Sequence, residues 1–425
     1  MRMNGEAGSA VGIRVAVIGG GIIGLCSAHV LRRQGAEVTL FESGRTGQGA
    51  SKGNAGWVCP GHSTPVPGPG VISYGLRSIV RPDSPLYFRA SAVPGLAFWL
   101  LRFAACCTRT ASARATKALA RFNAEALPAF ERLRASGVSF ELHNAGLLYC
   151  FTQASNVGEA LEAIRAMAPY GYSAPEVLDG DGMRRFEPSL SRSVAAGFFL
   201  PQECYVDPVA LTASLHRANV AEGVTIREAE PVIGLERVGA RVRSVVTNAG
   251  AYAVDEVVVA AGAWTGRFLE KTLDLSLPIQ AGKGYSFTVR PQRLPLRPLS
   301  FHEARVAVTP AGDRMRLAGT MEFSGINDRV DPRRIAAISS SAHQFLEGGT
   351  PHERRDEWAG MRPLVPDGLP VIGRLRRFSN VVVATGHGML GITQGAVTGE
   401  LVARQVTNDD VAPEFAAFAP SRYGA

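Results

Sequence analysis

Lysine is nearly missing from the 425 residues: of 45 basic side chains only Lys52, Lys117, Lys271 and Lys283 are lysines. No apolar run reaches the roughly 18–20 residues that span a bilayer. Residues 1–12 lack the apolar core of a secretion signal and read as a flexible N-terminal extension over 1–11. None of the six cysteines (Cys26, Cys59, Cys106, Cys107, Cys150, Cys204) stands in a C-x-x-C pair, and no histidine cluster accompanies them. That argues against a zinc site or disulfide framework, predicts inert thiols in a reducing compartment, and leaves no metal expected. The 47 glycines and 26 prolines follow no period, so collagen-like and low-complexity readings fail. The net charge of +8 is scattered, apart from Arg374–Arg377, and no basic stripe carries interleaved aromatics. Nucleic acid is therefore not an expected partner.

With 46% hydrophobic and 19% charged residues, the chain can bury a sizeable core. At roughly 100–200 residues per domain, its length fits two to four domains or one large two-domain enzyme.

The first chemical signal is a short β-branched run, Arg14–Ile18, followed at once by Gly19-Gly20-Gly21-Ile22-Ile23-Gly24, a G-x-G-x-x-G. A helical pattern from Ile22 to Gln34 and a second strand, Glu37–Phe41, complete a β-α-β unit. Each glycine has a physical task. Gly19 permits the tight turn, Gly21 lets a pyrophosphate approach the backbone, and Gly24 lets helix and strand pack closely. The N–H groups at Ile22 and Ile23 present the positive end of a helix to that anion. Glu42, 18 residues past Gly24, is spaced to accept hydrogen bonds from ribose hydroxyls. Its charge disfavours NADP but does not separate NAD from FAD.

The next segment bears on that choice. Gly49-Ala50-Ser51-Lys52-Gly53-Asn54-Ala55-Gly56 is a second loop of small residues, where a flavin enzyme needs backbone to line the cofactor; a Pro/Gly-rich stretch, Cys59 to Gly70, follows. Gly49–Gly53 is also a literal G-x-S-x-G, which would make Ser51 a hydrolase nucleophile. That motif requires a strand before it and a helix after it, and the flanking sequence offers neither.

With these segments, Val257–Trp264 (VVVAAGAW), Lys283–Ser286 (KGYS), Trp358–Gly373 and Thr385–Thr393 (TGHGMLGIT), the chain resembles the FAD-dependent D-amino acid oxidase/glycine oxidase superfamily. Its pattern is most similar to the small-subunit type of bacterial D-amino acid dehydrogenase, from Arg14 to about Val406. The resemblance implies an α/β protein: a Rossmann-like FAD-binding domain from 12–80, 201–275 and 355–425, and a mixed antiparallel-sheet substrate domain from 81–200 and 276–354. It implies noncovalent FAD held by the motif glycines, by Ser51, Asn54, Ala55 and Gly56, by backbone near Val232, by Ala261, Gly262 and Trp264, and by Gly386, Gly388, Met389, Leu390 and Gly391. Asp207-Pro208 independently reads as an N-cap and first helical residue.

The reaction implied is hydride transfer from an amine-bearing Cα to flavin N5, followed by imine hydrolysis to a 2-oxo acid, with electrons passed to a quinone or other acceptor. Such a step needs orientation and stabilisation of negative charge more than an obligatory acid or base. Arg362 matches the family's carboxylate-binding arginine, and its planar fork suits that task. Tyr285 and His62 are weaker catalytic candidates, each equally readable as packing; His62 stands where the subgroup often has an aromatic. His387 reads as structural, and Lys283 as either flavin-proximal or a surface-strand lysine. A secondary or imino amino acid (D-hydroxyproline, proline-like, sarcosine or glycine) is the alternative substrate. A flavin-carrying electron-transfer subunit is the alternative of another class. The apolar stretch Val93–Cys107 reads as a buried helix, with a membrane-surface helix as the other reading. The expected location is cytoplasmic, with peripheral contact on the inner face of the membrane under that second reading. Oligomeric state is not legible.

Overall fold

The computed structural model describes residues 9–79, 84–407 and 412–425. Most of the expected N-terminal extension, and the domain boundary expected at 80/81, lie outside the described residues.

A six-stranded sheet runs in the order Val371–Arg374, Val381–Thr385, Glu256–Val259, Arg14–Ile18, Glu37–Phe41, Thr225–Arg227. All its pairings are parallel except at the Val371–Arg374 edge. Its central strands are continuous apolar runs, as a sheet covered on both faces requires. Alternation along Arg14–Ile18 separates two cores. Val15 and Val17 face helices Ile22–Arg33, Pro208–Ala221 and Gly391–Val406. Ala16 and Ile18 face helix Thr265–Leu273 and a three-stranded meander, Val232–Val238, Arg241–Thr247 and Ala251–Ala253.

Helix Gly391–Val406 packs directly on helix Ile22–Arg33. A Cβ at Gly395 would lie 2.7 Å from Ile22 Cγ1, and one at Gly399 would lie 2.8 Å from the Cys26 carbonyl. These two glycines bring the helices together close to where both begin. Asp207 caps its helix by accepting from the N–H groups of Val209 (2.7 Å) and Ala210 (3.1 Å).

The second sheet is larger and mixed. Its order is Arg354–Leu364, Gln280–Val289, Arg314–Phe323, Val306–Ala311, Leu299–Phe301, Leu147–Phe151, Ala196–Leu200, Val177–Asp179. Leu86–Phe88 adds in parallel to Arg314–Phe323. Helix Pro332–His343 covers one face through Ile335 and Ile338, against Phe287, Val308 and Leu317. Its Asp331-Pro332 start repeats the Asp207-Pro208 signal, yet the sequence reading placed no helix there.

One further difference concerns a boundary. Arg354–Leu364 is hydrogen-bonded along Gln280–Val289, so this segment belongs to the large sheet although a return to the cofactor domain was expected at 355. The first six-stranded-sheet residue after it is Val371. The Ala/Arg-rich stretch that follows the Val93–Cys106 helix forms two helices, Arg109–Ala124 and Ala126–Ala135.

Candidate active site

Between the two sheets lies a cavity of about 1610 Å³. That exceeds the roughly 300–1,000 Å³ of a drug-sized ligand site and leaves room for a dinucleotide and a small substrate. One end is built on the β-α-β unit. Gly19 has φ +110°, and a Cβ there would sit 2.5 Å from the Ala260 carbonyl oxygen. At Gly24 a Cβ would strike the Gly19 carbonyl at 1.8 Å. At Gly21, by contrast, nothing lies nearer than Ser51 Oγ at 3.5 Å, so the backbone is open to the cavity. Gly21 N-caps the helix without a side chain, and the Ile22 N–H is held by Ser51 Oγ at 3.1 Å. Glu42 accepts from the N–H groups of Gly20 (2.7 Å) and Gly44 (2.8 Å) and from Ser43 Oγ, which leaves carboxylate lone pairs for a ribose. Ile23 and Val232 complete this end.

The 49–56 loop is a succession of turns, with neither a strand before Ser51 nor a helix after it, so the nucleophile geometry is absent. Asn54 Oδ1 accepts from the Gly56 N–H at 2.8 Å and closes the loop on itself. The large sheet holds it from behind. Arg316 donates to the carbonyls of Lys52 (3.2 Å) and Asn54 (2.9 Å), and Thr309 Oγ1 donates to Ala55 at 2.8 Å. The Trp57 indole in turn donates to Thr309 Oγ1. The Trp358 ring lies where a Cβ of either Gly53 or Gly360 would be, at 2.0 and 1.9 Å.

Opposite, Gly386 (φ +79°) and Gly388 (φ +54°) turn the chain into helix Gly391–Val406, whose N-cap Leu390 also offers no side chain. The Gly388 N–H is taken by the Pro363 carbonyl at 2.9 Å. His387 lines the cavity, pairs through Nε2 with Thr398 Oγ1 at 3.0 Å, and is pushed down to about 3 by burial. It is therefore neutral at neutral pH. Ala261, Gly262, Met389 and Leu390 line the same wall, and Trp264 stands at the rim, 46% exposed.

Arg362 lines the wall formed by the large sheet. Its guanidinium lies against the backbone of Gly284, where a Cβ would come within 2.2 Å of Cζ. Nη1 donates to the Thr320 carbonyl at 2.5 Å. Thr320 is left-handed, φ +62°, at a register shift between strands 280–289 and 314–323. This costly backbone state turns the carbonyl to the arginine. Among the described residues no carboxylate lies within ion-pair distance of Arg362 (4 Å). Burial lowers its pKa to about 10, so it stays charged at neutral pH.

His62 lines the cavity with Nδ1 3.0 Å from the Tyr149 hydroxyl. Burial first, then Arg305 and His302, lower its pKa. Below it, Glu203 accepts from the Gly61 N–H at 2.9 Å and is pushed up to about 8 by burial, a carboxyl kept neutral.

The expected residues thus converge, with corrections. Gly24, Gly56 and Gly386 do not line the cavity. They shape backbone instead; Gly56 is left-handed and presses on the Val206 carbonyl. Tyr285 touches the lining, but its ring belongs to the core beneath helix Pro332–His343 and its hydroxyl donates to Glu322 at 2.7 Å. Lys283 is not a surface lysine: it is 2% exposed, donating to Asn327 Oδ1 at 2.7 Å beside Glu322. Sequence reasoning missed Thr309, Arg316, His302, Arg305 and the role of Trp358. The glycines at 53 and 360 were the only local sign of that ring.

The geometry fits FAD: two helix N-termini whose N-cap residues make no side-chain cap, an open glycine at the first, and a cavity of dinucleotide size. Comparison with known proteins agrees. The chain belongs to the FAD dependent oxidoreductase family, which matches residues 14–405. A D-amino acid dehydrogenase of Methylobacterium sp. (strain 4-46) is 33% identical over 423 residues, covering 97% of this chain and 99% of the relative. One from Bradyrhizobium diazoefficiens is 31% identical over 422 residues, covering 97% and 99%. Glycine oxidase from Geobacillus kaustophilus superposes with a TM-score of 0.77 at 23% identity, covering 96% and 99%. L-proline dehydrogenase from P. horikoshii does so with 0.73 at 18%, covering 97% and 98%. These structural likenesses establish the shared fold, and the expected fold class and FAD cofactor stand.

Proposed function

We propose that this FAD-dependent oxidoreductase oxidises D-amino acids to 2-oxo acids and ammonia and passes the electrons to a quinone or other carrier. The observation that carries the reading is Arg362: a charged guanidinium without a carboxylate partner among the described residues, fixed by Thr320 and Gly284 at the cavity wall. A substrate α-carboxylate would complete it through two parallel charge-assisted bonds. The full-length relatives named D-amino acid dehydrogenase support the substrate class.

Bound FAD supplies the acceptor for the hydride leaving Cα. The chain's own residues do the rest. Arg362 fixes the carboxylate and with it the face that Cα presents. His62, kept neutral, can take the proton that the substrate ammonium must lose before its nitrogen lone pair can assist. The uncapped N–H groups at Gly391 favour negative charge at the adjacent wall. In this reading FAD is held without a covalent bond, through the backbone turns and side chains that line the cavity.

The same reading includes a peripheral contact with an acidic membrane surface. No single helix among the described residues is long and apolar enough to cross a membrane. Helices Val71–Ile79 and Val93–Cys106 nevertheless expose Ile72, Leu76, Phe98 and Leu101 beside Arg77 and Arg102. Cosedimentation with vesicles containing anionic lipid should retain the protein, and Leu76→Asp with Leu101→Asp should release it.

An anaerobic flavin titration with D-alanine, D-proline, D-hydroxyproline, sarcosine, glycine and L-amino acids tests the catalytic reading. Bleaching by primary D-amino acids is expected. Bleaching by secondary amines alone would move the assignment to imino acids, and bleaching by no amine would leave an electron carrier.

A further inference from the structure

The turn from His302 to Arg305 joins strands Leu299–Phe301 and Val306–Ala311 at the cavity wall. Its one acid faces elsewhere: Glu303 accepts from the N–H groups of Thr152 and Gln153, both at 3.3 Å, and from Asn156 Nδ2 at 3.1 Å. His302 and Arg305 line the cavity. Arg305 holds a left-handed backbone, φ +53°, a state that a side-chain-bearing residue adopts only where surrounding structure imposes it. Its guanidinium stands over the Tyr74 ring, 5.8 Å from the centroid. It makes no ion pair among the described residues, and its charge lowers the pKa of both His62 and His302. Glu159, exposed on the neighbouring helix, acts on His302 but lies beyond ion-pair distance of Arg305.

The floor beside this wall is made of small residues. Ala307 pairs with Ala318, and Gly319 follows. The Arg305 carbonyl is 3.4 Å from the position a Cβ of Gly319 would take, and the next residue, Thr320, holds Arg362. The Arg305 backbone thus lies beside the residue preceding Thr320, the cavity is lined by both arginines, and Ala307, Ala318 and Gly319 add little side-chain volume to that stretch of wall.

We propose that Arg305, assisted by His302, binds an anionic group at the end of the substrate side chain, so that the preferred substrates are D-amino acids with a second carboxylate, such as D-aspartate and D-glutamate. This rests on the reading of Arg362 as the α-carboxylate clamp. A neutral side chain would leave Arg305 unpaired, whereas a carboxylate there gains a charge-assisted bond.

The test compares kcat/KM for D-glutamate and its neutral isostere D-glutamine within each protein, so that effects transmitted through His62 cancel in the ratio. The wild-type ratio should be about tenfold or more in favour of D-glutamate. It should fall towards one in Arg305→Met, recover in part in Arg305→Lys, and shrink with added salt in the wild type. A wild-type ratio near one, or a preference that survives Arg305→Met, overturns this subsite while D-alanine turnover leaves the oxidation reading intact. Bleaching by no D-amino acid overturns both.

Discussion

Thr309 and Arg316 face each other in neighbouring strands of the large sheet, and both direct their side chains to carbonyls of one loop, Lys52 to Ala55, beneath the other sheet. Neither lines the cavity. With FAD against that loop, Arg316→Met should weaken FAD binding by about 10–100-fold, the loss of charged hydrogen bonds of about 1.5–3 kcal/mol. Arg316→Lys should recover part of this. Flavin fluorescence on titrating the apoprotein reads it directly; an unchanged affinity would show that the loop holds its shape alone.

Arg362→Met should lower kcat/KM by about 10²–10³-fold while FAD remains bound, since a bidentate charged contact is lost. Arg362→Lys should fall between, because an ammonium cannot reproduce the fork. Stopped-flow bleaching with D-alanine separates the two variants.

Gly284→Ala would place a methyl 2.2 Å from Arg362 Cζ. The guanidinium must move, so the apparent substrate dissociation constant should rise at least about tenfold with FAD affinity unchanged. An unaltered constant would mean that Arg362 does not act from this position.

Thr320→Gly should raise folding stability by about 1 kcal/mol, because it relieves a left-handed β-branched residue (φ +62°). Denaturant unfolding of the holoprotein measures it. A loss of stability would mean that the Thr320 side chain holds more than its backbone conformation costs.

Glu203 gives a pH signature. Its carboxyl ordinarily titrates near 4.5 and is held up to about 8 by burial. Between these values the unfolded chain has released the proton that the folded chain keeps. Its contribution is therefore full below pH 4.5, declines by up to about 1.4 kcal/mol per unit as pH rises, and is gone above about 8. Glu203→Gln should flatten that part of the stability profile; identical wild-type and variant slopes would refute the assignment.

Much of this was legible in the chain. Gly19, Gly21, Gly24 and Glu42 announce their geometry because a β-α-β turn is local, and Asp207-Pro208 announces a helix for the same reason. Asp331-Pro332 carried the same signal inside a segment read only as part of the antiparallel-sheet domain. What could not be read depends on register between distant strands. Thr309 and Arg316 meet their loop across more than 250 residues of sequence. The shift that turns the Thr320 carbonyl leaves no trace in composition. Tyr285 was readable equally as a substrate contact or as packing, and alternation along its strand, which motif matching does not report, turns the ring into the core.

The seam between helices Ile22–Arg33 and Gly391–Val406 has a further consequence. Backbone meets side chain and backbone there with only hydrogen atoms to spare at Gly395 and Gly399, so the spacing of the two helix starts is gauged before any ligand arrives. A deep mutational scan read out by flavin retention should therefore score these two buried glycines, which touch no ligand, as intolerant as the glycines of the dinucleotide motif.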